Sequence, residues 1–314
     1  MAQSHASQQQ AYQADALSLV LEAMDGWSGD PDAWLDRVRL IGDELLRLQV
    51  LAAALADAYL SDVLDMQGAD PRSDGEVDPS AFADLTDGGG SWLRLLVYAP
   101  TSVARIEDGI DRARWVAQSI ALTGMQDVGR SAVSAAMWSR RAATGYVRML
   151  VPPSCARCAI LAGRVYRRVT AFRRHPRCDC RHVPQAEDSG DDWSTDPATY
   201  FRSLSDAEQD RIFTSAGAQA IRDGADISQV VNARSGITTV TAYGRTVQAT
   251  TTGTTTRGTA GQRLAEEAGT DRDGRNRRAR TPRLMPDEIY QAAELEGWSR
   301  DEVLRQLFRF GYII

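Results

Sequence analysis

All four cysteines of this 314-residue chain fall within 26 residues, with one of its three histidines among them. The pattern is Cys155-x2-Cys158, sixteen residues, then His175-x2-Cys178-x-Cys180. Thiolate sulfur and imidazole nitrogen are the donors that zinc gathers into a tetrahedron, with Zn–S about 2.3 Å. A C-x2-C turn sets two sulfurs on one side, and a second knuckle supplies the rest. Pro176 holds His175 in extended backbone, which suits a tight knuckle. Cys155 and Cys158 are the firmest of five candidate ligands; His175, Cys178 and Cys180 share the two remaining places. A closed site of this kind is structural and adds directly to folding energy. Two other chemistries fit the same residues. One is a disulfide, which would require an oxidising compartment and is opposed by the reducing one expected below. The other is a Cys–His dyad using Cys155 or Cys158 with His175, though four cysteines exceed what a dyad needs.

Eight arginines crowd this segment: Arg157, Arg164, Arg167, Arg168, Arg173, Arg174, Arg177 and Arg181. Tyr166 and Phe172 are interleaved with them. Against the single acid Asp179, residues 155–182 carry a net charge of +7, whereas residues 1–70, with twelve acids and three arginines, carry −9. Charge segregated in this way implies different partners for different regions. The arginine face can meet nucleic-acid phosphates without reading sequence, or it can pair with acidic helices of this chain or of a partner. The chain has no lysine, as a GC-rich coding genome produces, so every basic side chain can hold phosphate or carboxylate bidentately.

No residue set points to an enzyme. A Ser-His-Asp triad needs an uncommitted histidine. His5 falls in a polar, uncharged N-terminal stretch, His175 belongs to the cysteine cluster, and only His182 remains. The sequence has no G-x-S-x-G elbow, and a chain without lysine has no G-x-x-x-x-G-K-[ST] phosphate loop.

The elements that must position this cluster read as mainly α. Leu17, Val20, Leu21 and Met24 form one helical stripe. Val38, Ile41, Leu45, Leu48, Ala52, Leu55 and Tyr59 keep a heptad rhythm over a helix from about 32 to 66, serving either an internal bundle or helix–helix self-association. Residues 68–90 read as a linker. A second helical block runs from about 101 to 149 on Ile106, Ile110, Ala113, Ala117 and Ile120, and Pro152–Pro153 closes it. Ser205-x-x-Glu208 is a capping box for a helix through Phe213 and Ala220. Eleven of the 23 residues from 237 to 259 are Thr, which favours an extended arm or a hairpin turning at Tyr243–Gly244. Pro286 opens a helix to about Glu296, Gly297 ends it, and Ser299-x-x-Glu302 caps another, so that residues 281–314 form a small helical hairpin. Phe310, Tyr312, Ile313 and Ile314 are too few for a core and must dock. The expected divisions are an acidic helical region (1–67), the linker (68–90), a central α+β domain pinned by a zinc knuckle (91–236, knuckle 155–182), a Thr/Arg-rich arm (237–280) and the C-terminal hairpin. No apolar run reaches the roughly 20 residues of a membrane helix, and the N-terminus has no basic start or apolar run of a secretory signal. The expectation is a protein that stays in the reducing compartment where it is made.

The stretch CARCAILAGRVYRRVTAFRRHPRCDCRHVP resembles the signature of MuF-like minor capsid (head morphogenesis) proteins of tailed phages. In those proteins C-x2-C, a Gly-containing turn and H-P-x-C-x-C recur, here Cys155, Cys158, Gly163, His175, Pro176, Cys178 and Cys180. The run EQDRIFTSAGAQAIRDGADISQVVNAR looks like the segment that follows in phages of high-GC actinobacterial hosts, and the resemblance covers residues 144–236. It implies a protein present in few copies inside the head near the portal. Such a protein aids assembly, DNA packaging or ejection, with portal and major capsid proteins and packaged DNA as partners. Some relatives are described as capsid maturation proteases. The alternatives are therefore such a protease, whose specific cleavage of capsid protein would be lost in His182→Ala, and a free zinc-dependent nucleic-acid-binding module.

Overall fold

The computed structural model describes residues 1–86, 88–106, 108–152, 154–170, 178, 180–186, 196–255, 258–268 and 282–314. They form a mainly helical protein with two small antiparallel sheets. No described helix is long and apolar enough to cross a membrane. The chain divides into two compact units, residues 1–154 with 162–195, and residues 196–314 with Cys155–Leu161.

The first unit is built on four helices: α1 (Ala2–Met24), α2 (Pro31–Met66), α3 (Trp92–Val103) and α4 (Gly109–Trp138). Helix α2 starts where Asp30 caps it and Pro31 takes the first turn. Its seam residues Val38, Leu45, Leu48, Ala52 and Tyr59 are buried within this unit, where α2 packs on α1 and α4. Close approach is possible because the contact stripes are small: Ala52, Ala53 and Ala56 on α2, and Ala113, Ala117, Ala121, Ala132 and Ala136 on α4. At Gly129 of α4 a Cβ would stand 2.6 Å from Gln9 Oε1, so that glycine lets α1 lie against α4.

Two expectations are corrected here. Helix α1 begins at Ala2, and His5 is not in an exposed polar stretch: it is buried at 6% exposure. Its neighbours on that face, Ala2, Ala6, Gln9, Gln13 and Ala16, are small or amide side chains, and that hides the stripe from a hydrophobic count. The second helical block also stops at Trp138. Residues Ala143–Met149 form a strand, β1, because Thr144, Tyr146 and Val147 are better satisfied by ladder pairing than by a fifth helix. Beyond β1 come the one-turn α5 (Ala156–Ala159), which belongs to the second unit, and then β2 (Val165–Arg167) and β3 (Arg181–Ala186) of the first. The sheet order is β2-β1-β3, with Tyr146 opposite both Tyr166 and Pro184, and Arg148 opposite His182. Helix α2 ties down β3: the Tyr59 hydroxyl donates to His182 O at 2.9 Å, and the Gln67 amide both donates to Pro184 O and accepts from Ala186 N.

In the second unit α6 (Pro197–Ser203), α7 (Asp206–Phe213), α8 (Ser215–Arg222) and α9 (Ile227–Ala233) precede a hairpin, β4 (Ile237–Ala242) and β5 (Arg245–Thr250). The Ser205/Glu208 capping box is present in full. The helix it starts breaks at Thr214, whose φ of +67° no helix accommodates, and α8 restarts at once. Tyr243 (φ +50°) and Gly244 (φ +71°) make the two-residue turn, both in the left-handed region that suits the strand twist. The last elements are α10 (Thr259–Ala268), β6 (Arg283–Leu284), α11 (Pro286–Glu296) and α12 (Arg300–Arg309). Gly297 ends α11 at φ +64°. The chain's apolar end docks in this unit: Phe310 and Tyr312 join a core of Ala220, Val230, Val247, Leu284, Ile289 and Leu307. The boundary near 195 differs from divisions at 90 and 236, because the N-terminal helices share one core with α4, and β5 shares another with the C-terminal helices.

Candidate metal centre

Three of the five candidate ligands come together. The sulfurs of Cys158, Cys178 and Cys180 lie within 4.8 Å of one another, and all three residues are buried, at 1–2% exposure. Sulfurs around a tetrahedral zinc stand about 3.8 Å apart, given a Zn–S length of about 2.3 Å. The donor set therefore fits a soft or borderline cation. Cys155 is exposed and plays a different local part: it is the N-cap of α5, where the Cys158 N–H points at its sulfur, 3.4 Å away. His175 lies outside the described residues, as do Pro176, Arg173, Arg174, Arg177 and Phe172.

The sequence reading missed the side chains that hold Cys178 and Cys180. Arg130, in the middle of α4, is 2% exposed. Its Nη1 donates to Cys178 O at 2.7 Å and to Cys180 O at 3.1 Å, and its Nη2 to Asp127 Oδ1 at 2.6 Å. Burial pushes the Asp127 carboxyl above its ordinary range, and the Arg130 guanidinium works against that shift. Arg148 of β1 is 1% exposed, and its Nη2 donates to Cys178 Sγ at 3.3 Å. The one clue available in the sequence was a charged pair, Asp127 and Arg130, inside an otherwise apolar and small-residue stretch of a helix.

His182 is 9% exposed; its ring stacks on Tyr146 at 4.2 Å, and Nδ1 lies 3.4 Å from Ser134 Oγ. His5 stacks on Tyr59, the residue whose hydroxyl donates to His182 O, with centroids 3.9 Å apart and planes 6° from parallel. Burial first, and then the charge of Arg181, lower the His5 pKa to about 4, so its ring is neutral at neutral pH.

The arginine cluster divides. Arg157, Arg164 and Arg167 are exposed, and Arg168 is half-buried over the ring of the exposed Trp138, 4.8 Å from its centroid. Arg181 is 2% exposed and points inward, so it is no part of a surface that meets phosphate. A strand alternates sides, and a sequence count of arginines does not know which side faces the core.

No curated protein and no solved structure matches the chain. A family model, described as VG15 protein, matches residues 2–207, more than half of the sequence. The chain therefore belongs to the VG15 protein family, a phage-associated family of viral gene products.

Proposed function

We propose that this phage protein is a minor capsid protein acting in head morphogenesis, inside the head near the portal, and that its centre is organised by one structural zinc ion. The observation that carries the reading is the buried trio Cys158, Cys178 and Cys180. These are residues of the same C-x2-C…H-P-x-C-x-C signature that resembles the MuF-like proteins. Cys158, Cys178 and Cys180 would hold the metal, with Cys155 or His175 as the fourth ligand. When bound, zinc would tie the Cys158 turn to Cys178 and Cys180. Portal and major capsid proteins are the proposed partners, and the exposed Arg164 and Arg167, with the half-buried Arg168, are the residues proposed to contact packaged DNA.

Two measurements test this. Elemental analysis of the purified full chain should find one zinc per chain, and portal protein should retain the chain in a pull-down. Mass spectrometry of purified virions should find it at a few copies per particle; its absence from particles would refute the capsid assignment.

A further inference from the structure

The C-x-C limb of the cluster is gripped by two buried arginines from two different elements, and neither belongs to the cysteine motif. We propose that Arg148 and Arg130 are positioning residues for the metal centre: Arg148 as hydrogen-bond donor and counter-charge to the Cys178 sulfur, Arg130 as the clamp that fixes the carbonyls of Cys178 and Cys180 and so keeps both sulfurs within reach of one cation. This rests on the zinc reading above and adds to it the residues that make the site selective for a thiolate-binding cation.

The geometry for Arg130 is specific. One nitrogen, Nη1, reaches the carbonyls of residues 178 and 180, and the other is fixed by Asp127 one turn earlier on α4. The two residues whose carbonyls Arg130 bridges are the same two whose sulfurs lie within 4.8 Å of each other. Holding both carbonyls on one nitrogen therefore holds both sulfurs together. The role of Arg148 is electrostatic. Three thiolates on a divalent cation leave a net charge of about −1, which is costly to bury. A guanidinium at 3.3 Å from one sulfur, itself only 1% exposed, offsets that charge where it arises. Partners outside the ligand shell commonly change metal affinity by about 10–100-fold.

The test uses the full chain loaded with zinc or with cobalt, competed against a chromophoric chelator. Arg148→Met is expected to weaken metal binding at least tenfold and to move the cobalt sulfur-to-metal charge-transfer band to lower energy, because a sulfur that loses an N–H donor gives up its electrons more easily. Arg148→Lys should restore most of the affinity. Arg130→Met should also weaken binding, but with the band unmoved, since Arg130 touches carbonyls and not sulfur. An Arg148→Met variant with wild-type affinity and an unmoved band overturns the proposal for Arg148, and wild-type affinity in Arg130→Met overturns it for Arg130. Should Arg148→Met fail to fold, Arg148→Gln decides: it removes the positive charge beside Sγ, so binding must weaken, and wild-type affinity with an unmoved band overturns the proposal. Folded wild-type chain that binds neither metal overturns the zinc reading itself, an outcome distinct from a wild type that binds while its variants are unaffected.

Discussion

Neither ring nitrogen of His5 has a hydrogen-bond partner, and its ring lies flat on Tyr59 inside the helical bundle. With a folded pKa of about 4 against an ordinary 6.5, the unfolded chain takes up a proton that the native state refuses. Stability from this group is therefore complete above about pH 6.5 and is lost as pH falls towards 4, by about 3 kcal/mol at most. His5→Phe keeps the stack and removes the proton site, so its denaturation midpoint should fall less than wild type between pH 7 and 4. Equal slopes would show that His5 takes up a proton in the folded chain as readily as in the unfolded one. Gly124 makes a steric prediction. A Cβ there would lie 2.0 Å from Trp92 Nε1, the atom that donates to Ile120 O at 2.9 Å. Gly124→Ala must displace a buried Trp, and about 1–3 kcal/mol of lost stability is expected from chemical denaturation, more if the hydrogen bond breaks.

Helix ends in the second unit follow local rules closely enough to predict single substitutions. The Ser205 hydroxyl and the Glu208 carboxylate cap α7 reciprocally, so Ser205→Ala should cost about 1 kcal/mol in urea denaturation. A cost indistinguishable from zero would mean that tertiary contacts alone hold this helix start. At the β4–β5 turn, Gly244 adopts φ +71° with open space around it. Gly244→Val should destabilise the hairpin through backbone strain alone. The strand β1 taught the opposite lesson. Its residues extend the apolar rhythm of α4 and read as more helix, yet pairing with β2 and β3 claims them. Strand partners lie far away in sequence, and periodicity within one segment does not report them.

For the whole molecule, the reading that one buried cluster organises the centre makes a prediction by digestion. Cys158→Ser, or removal of metal with a strong chelator, should leave the helices of residues 1–138 intact by circular dichroism while exposing residues 150–190 to limited proteolysis. A digestion pattern identical to that of the untreated protein would contradict it. The converging trio was legible in the sequence as part of a candidate cluster: Cys158, Cys178 and Cys180 announce themselves through residue type and spacing. So were α2, α11, α12, the α7 cap and the Tyr243–Gly244 turn, because each is specified by contacts a few residues long. Tertiary structure alone decided which cysteines converge, that Arg181 turns inward while Arg164 and Arg167 face out, that His5 is a core residue, and that Arg130 and Arg148 hold the C-x-C limb. These are consequences of packing between segments far apart in the chain, as far as His5 is from Arg181. Desolvation and hydrogen-bond geometry at that range depend on where the elements come to rest, and no local pattern encodes it.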